Sequence, residues 1–244
     1  MKIIGIIPAR MESSRLPGKP LIKIDGKTMI QRVYESVNKS MLFDKVIVAT
    51  PNMEIYDHVE VFGDVILTSN NPINGTERVF EAYQKLDEEF DFIVNIQGDE
   101  PFIKKEQLTD IISICKEPNK ICTLVKKEKY SDNLERESIM KVVINSNNEA
   151  MYFSRSLIPY QSIKKNYLKH ICIYAYDPMT LKKIISLPQS SLEKYESLEQ
   201  LRWLENGFKV NVKITNHDSF SIDTKEDLIL SLIHISEPTR PDEI

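Results

Sequence analysis

The sequence predicts an α/β protein with a mostly parallel central sheet and a smaller strand-rich insertion in its second half. Three observations predict it. Up to Lys104, short β-branched runs alternate with segments of helical period, the pattern of βαβ units. Beyond Lys104, strand-like runs follow one another with few helices between them, which suits a mixed sheet with an antiparallel excursion. The chain has 244 residues, of which 41% are hydrophobic and 28% charged, enough to bury a substantial core.

Taken in order, "KIIGIIP" from Lys2 is the first strand, and 27–39 is a helix with Met29, Ile30, Val33 and Val37 on one face. "KVIVAT" is the next strand, 54–61 a helix and "VILT" a further strand. A helix over 76–88 leads into the strand "DFIVNI", completing the layout of a nucleotide-binding α/β half. A helix at 107–115 then precedes four strands, "ICTLVKK", "MKVVINS", "AMYFS" and "HICIYAY". Helices at 178–187 and 193–205, the strand "KVNVKIT" and a helix after Asp223 follow. No repeat or evident linker interrupts this series, so 1–230 is expected to form a single domain with its insertion at about 120–160. The tail "SLIHISEPTRPDEI" has two prolines and no period. Residues 231–244 are therefore expected to be non-native or disordered and are set aside.

Composition narrows the class. A net charge of −4 gives no basic surplus for general nucleic-acid binding. The apolar runs fall short of the roughly 20 residues that span a bilayer, and no signal-peptide pattern opens the chain, so a cytoplasmic location is expected. Cys115, Cys122 and Cys172 lack C-x-x-C spacing and read as buried small residues rather than disulfide or zinc partners.

The chemistry concentrates at strand exits. "PARMESSRLPGK" follows the first strand and places Arg10, Arg15 and Lys19, with the hydroxyls of Ser13 and Ser14, on a turn held by Pro17 and Gly18. It matches neither G-x-x-x-x-G-K-[ST] nor G-x-G-x-x-G. Two guanidiniums and a lysine at the carboxyl end of a strand nevertheless suit phosphate oxygens. Composition alone allows a solvated basic turn equally well. "NIQGDEP" puts Asp99 and Glu100 at a similar exit, where carboxylates facing phosphate-binding cations could hold Mg²⁺; taken alone, a turn with a capping Asp is the simpler reading. "FSIDTKEDL" repeats the pattern at Asp223, although Thr224 and Asp227 also make a helix start. "INGTERV" reads first as Asn-Gly turn chemistry, with Thr76 able to cap the next helix.

In order along the chain, "IIPARMESSRLPGKPL", "NGTERV", "VNIQGDEP", "KVV", "AMYFSRSLIP", "KHICIYAY", "SLEKYESLEQLRWLENG" and "IDTKEDL" resemble the CMP-Kdo synthetases, the cytidylyltransferases that activate 3-deoxy-manno-octulosonate (Kdo). The resemblance runs from residue 2 to about 230. Its opening block is shared with other sugar cytidylyltransferases; the later blocks narrow it to Kdo, and an enzyme for the 8-amino analogue could share them all. Ser221 and Lys225 depart from the Gly and Pro common in relatives.

The resemblance implies a Rossmann-like nucleotidyltransferase fold. It also implies transfer of CMP from CTP to the anomeric 2-hydroxyl of Kdo, releasing pyrophosphate, in cytoplasmic lipopolysaccharide precursor synthesis. By that resemblance Arg10, Arg15 and Lys19 form a triphosphate clamp, with Arg10 and Lys19 acting in catalysis. Asp99 and Asp223 are the Mg²⁺ ligands. Ser13, Gly75, Thr76, Arg78 and Gln97 lie against the nucleotide. Arg155 and His170 receive the sugar acid, with Glu199 and Gln200 available for its hydroxyls. Each of those four also has a structural reading: an ion pair for Arg155, an edge-strand hydrogen bond for His170, and the polar face of an amphipathic helix for the other two. A homodimer with contacts from about 122–160 is also implied. The 8-amino analogue of Kdo or sialic acid as acceptor, and a non-catalytic CTP-binding protein, are the alternatives.

Overall fold

The computed structural model describes residues 1–13, 16–116, 120–160, 166–218, 220–222 and 224–229. Ser14, Arg15, Asp223 and the tail at 231–244 lie outside the described residues. The chain groups into two compact units. One comprises Ile4–Asp87 and Ile96–Lys105 with the residues from 219 onward, and the other Met1–Ile3, Glu88–Asn95 and Glu106–Asp218.

The first unit is built on β1 (Ile3–Pro8), β4 (Lys45–Thr50) and β5 (Asp64–Leu67); between the first two come a hairpin of β2 (Lys23–Ile24) and β3 (Lys27–Thr28) and the helix α1 (Met29–Lys39). β1, β4 and β5 pair in parallel with Pro8 opposite Ala49 and Thr50 opposite Leu67, so their carboxyl ends share one edge. Isoleucines 4, 6 and 7 and Val48 are fully buried, which accounts for near-continuous apolar runs in place of alternation. α2 (Met53–Val59) and α3 (Gly75–Gln84) complete the βαβ repeats. The expected 27–39 helix begins at Met29. Asp25 and Gly26 both have positive φ and form a two-residue hairpin turn, which leaves Lys27 and Thr28 extended. Thr28 Oγ1 then accepts from the Gln31 amide as the helix cap.

The second unit contains β6 (Phe92–Ile96), α4 (Lys105–Ile114), β7 (Ile121–Lys129), β8 (Lys141–Ile144), β9 (Ala150–Ser154), β10 (Asn166–Tyr176), α5 (Pro178–Ile185), α6 (Ser191–Glu196), α7 (Gln200–Glu205) and β11 (Val210–Thr215). Its strands run in the order β11-β7-β10-β6, with β8 joining β10 and β9 joining β8. β7 is parallel to β11 and antiparallel to β10, and β8–β9 is an antiparallel hairpin. The expected 193–205 helix is two helices. Ser197 adopts a left-handed conformation (φ 54°, ψ 46°) that ends α6, and α7 restarts at Gln200. Cys115 and Cys122 are buried as expected, but Cys172 is partly exposed.

Candidate active site

Where β1 ends, the chain turns above the shared strand edge and is fixed at several points. The Met11 amide donates to Asn52 Oδ1 at 3.0 Å, the Leu16 amide to Ser13 Oγ at 3.3 Å and the Gly18 amide to the Met11 carbonyl at 3.2 Å. Gly18 has φ +68°, a conformation glycine adopts without Cβ strain. Leu16 is buried with Ile24, Met29 and Ile222, which anchors the far end of the loop. These bonds fix the loop's described ends, Arg10–Ser13 and Leu16–Lys19, while Arg10 itself stays exposed.

A cleft of about 340 Å³ opens on this loop, lined among others by Arg10, Ser13, Lys19, Gly75, Arg78, Gln97 and Asp99. Lys19 is only 8% exposed and its Nζ lies 2.6 Å from Asp99 Oδ2. Asp99 is positioned by the turn that closes with the Glu100 amide donating to the Gln97 carbonyl. A Cβ on Gly98 would come within 2.8 Å of the Pro8 carbonyl oxygen, so this approach between two strand exits requires glycine. The Asp99 carbonyl accepts from the Ile222 amide at 3.0 Å, tying in the segment that precedes Asp223.

The third wall is the start of α3. Its cap is Asn74, whose Oδ1 accepts from the Glu77 amide at 2.8 Å; Thr76, expected to cap, is buried inside the first turn. The spacing Asn-x-x-Glu was the overlooked signal, because Glu77 Oε2 in return accepts from the Ile73 amide. Gly75 leaves Pro8 Cγ only 3.3 Å from where its Cβ would stand. Arg78, 4% exposed, donates to Thr68 Oγ1 at 2.6 Å and to the Ser69 carbonyl at 3.1 Å, both neutral partners. Burial and then the nearby Arg10 charge lower its pKa. A buried guanidinium whose charge is disfavoured by burial and by a second guanidinium gains from a polyanion placed against it.

A family profile described as cytidylyltransferase matches residues 4–214. The chain belongs to the cytidylyltransferase family. Two of its similar relatives bear the name 3-deoxy-manno-octulosonate cytidylyltransferase. The one from Parabacteroides distasonis is 50% identical, with 97% of this chain and 99% of the relative covered; the one from Cytophaga hutchinsonii is 46% identical, with 94% and 96% covered. Among solved structures, a CMP:2-keto-3-deoxy-manno-octonic acid synthetase complexed with CTP matches with a TM-score of 0.87 at 36% identity, covering 97% of this chain and 99% of that one. The α/β fold predicted from the sequence is the nucleotidyltransferase fold of that structure.

Arg155, His170, Glu199 and Gln200 belong to the second unit. His170 is 4% exposed, with Nε2 2.9 Å from Thr123 Oγ1 and its ring against Phe153 and Tyr174. Burial lowers its pKa to about 3, so at neutral pH it offers hydrogen bonds and no charge, contrary to a cationic part in holding a sugar acid. Among the described residues Arg155 makes no ion pair; its guanidinium donates to the carbonyls of Glu196, Glu137 and Ser197. Three of its five N–H groups are engaged in this way. Gln200 is buried rather than on a polar helix face, with Nε2 3.7 Å from Met140 Sδ, and Glu199 immediately precedes α7.

Proposed function

We infer that this cytidylyltransferase transfers CMP from CTP to the anomeric 2-hydroxyl of Kdo, forming CMP-Kdo and pyrophosphate. The observation that carries the inference is the cleft formed by the exit of β1, the start of α3 and the Gln97–Glu100 turn, lined by the cations Arg10, Lys19 and Arg78 together with Asp99 and Glu12. The 2-hydroxyl oxygen attacks the α-phosphorus as the bond to the bridging oxygen breaks, pyrophosphate departs with that oxygen, and the hydroxyl proton is lost to solvent or a base. Such displacement depends on positioning and on neutralising phosphate charge more than on a covalent intermediate. In this assignment Arg10 and Lys19, with Arg15, grip the triphosphate; Ser13, Gly75, Thr76, Arg78 and Gln97 line the nucleotide's bed.

Asp99 with Asp223 would hold Mg²⁺, which when bound neutralises the phosphates and the leaving pyrophosphate. The donor set fits. Mg²⁺ commonly takes one or two carboxylates and draws its remaining ligands from phosphate and water. Asp99 offers a carboxylate at the rim of the cationic cleft, and its main chain is hydrogen-bonded to Ile222, the residue before Asp223. Lys19 keeps that carboxylate oriented from one oxygen, leaving the other available.

Arg155 receives the Kdo carboxylate through its two remaining N–H groups, and His170, Glu199 and Gln200 serve the sugar's hydroxyls. A homodimer joined through about 122–160 belongs to the same reading, supported by exposed Met151 and Tyr160. So does a cytoplasmic place in lipopolysaccharide precursor synthesis. Among the described residues no helix is long and apolar enough to cross a membrane.

The test is Mg²⁺-dependent pyrophosphate release from CTP with Kdo, 8-amino-Kdo and sialic acid run in parallel. Release with Kdo is expected. Preference for either other acceptor would change the substrate, and CTP binding without release from any of them would overturn the enzymatic reading.

A further inference from the structure

Lys141 opens β8 and is fully buried. A buried ammonium requires compensation, and here it comes from carbonyls: Nζ donates to Ile139 O at 2.7 Å, to Arg136 O at 3.5 Å and to Arg155 O. Arg155 is held in the same manner, its Nε donating to Glu196 O at 2.8 Å, Nη1 to Glu137 O at 2.7 Å and Nη2 to Ser197 O at 3.2 Å. The carboxylate that touches this pair, Glu196, spends its oxygens on neutral donors: Oε2 accepts from the Arg155 amide at 2.9 Å, and Oε1 from Ser154 Oγ at 2.7 Å. Carbonyl dipoles orient a cation without cancelling its charge. Two cations therefore share one nearby carboxylate, and burial together with the Arg155 charge lowers the Lys141 pKa while Glu196 opposes the shift. Among the described residues the cluster is short of one anion.

We propose that Lys141 and Glu196 are positioning residues that seat Arg155 from behind, so that its two remaining N–H groups meet the carboxylate of the sugar acid, which supplies the missing negative charge. This rests on the reading of Arg155 given above and extends it to two residues outside the expected site. The competing role is purely structural: Arg155 would only tie off the end of α6, through the Glu196 and Ser197 carbonyls. A structural tie affects folding; a seat for a carboxylate affects one substrate.

The experiment compares Glu196→Gln, Lys141→Met and Arg155→Ala in the full chain, with KM for Kdo and for CTP measured separately and melting temperature as a check on folding. Glu196→Gln is the primary variant, since its amide retains an acceptor for the Arg155 amide and a donor toward Ser154. It should raise KM for Kdo about tenfold, the scale of one hydrogen bond to a charged group, and leave KM for CTP unchanged. Lys141→Met, if folded, should do the same. If Arg155→Ala raises KM for Kdo but folded Glu196→Gln leaves it unchanged, or raises both KM values alike, the positioning role is overturned. If Arg155→Ala itself leaves KM for Kdo unchanged, the carboxylate subsite is wrong and the positioning role falls with it.

Discussion

Asp99 and Lys19 sit 2.6 Å apart at the rim of the cationic cleft, and this contact limits what a substitution there can do to the fold. Asp99→Asn keeps an oxygen that can accept from Lys19 and removes the charge, so the melting temperature should scarcely move. Turnover should fall roughly a hundredfold or more, the scale at which losing one charge stabiliser acts. Pyrophosphate release by the folded variant at a near-normal rate would remove Asp99 from the chemistry. His170 shows the reverse case, a site candidate whose environment dominates its stability. Its ordinary pKa of 6.5 falls to about 3 on burial, so between these values the unfolded chain binds the proton that the folded chain refuses. Stability should therefore decline as pH drops from about 6.5 toward 3. Urea midpoints at pH 7 and pH 5 test this: wild type should lose more between them than His170→Gln, and equal losses would acquit the histidine.

At the scale of elements, the parallel strands and their order along the chain were legible because buried β-branched runs such as "IIGII" and "KVIVAT" have few other uses. The breaks were less legible. Periodicity over 193–205 is continuous, and a single left-handed Ser197 splits it; nothing in the residue type Ser announces that conformation. The two short helices are then held by a buried pair rather than by length. Arg202, whose side chain is 2% exposed, donates from Nε and Nη2 to both Glu193 oxygens at 2.9 and 2.7 Å, and from Nη1 to Leu187 O. Glu193 also closes the capping box with Ser190. Glu193→Ala would leave Arg202 buried without its carboxylate and should cost about 3–5 kcal/mol, the penalty for breaking a buried pair from one side. Chemical denaturation reads this directly, and a loss below about 1 kcal/mol would place the pair among surface-like bridges.

For the molecule as a whole, the cationic cleft was legible in the sequence because its residues lie in three short blocks, at 8–20, 74–78 and 97–99, that one α/β unit gathers. The cationic cluster of Lys141, Arg155 and Glu196 was not, since "KVV", "YFSRS" and "KYES" read separately as strand and helix. Only folding shows that their polar ends meet at backbone carbonyls. The same holds for surfaces that act between copies. Met151 on β9 is 62% exposed and Tyr160 is 88% exposed, both within the insertion. Single exposed apolar residues are ordinary, and a stable interface commonly needs about 1,600 Å² in total, so these two side chains can be only part of a dimer contact. If the insertion joins two copies, sedimentation at micromolar concentration should give a dimer, and Met151→Lys with Tyr160→Lys should shift it toward monomer by placing like charges in an apolar contact. A wild-type monomer, or a double variant that stays dimeric, would exclude these residues from the interface.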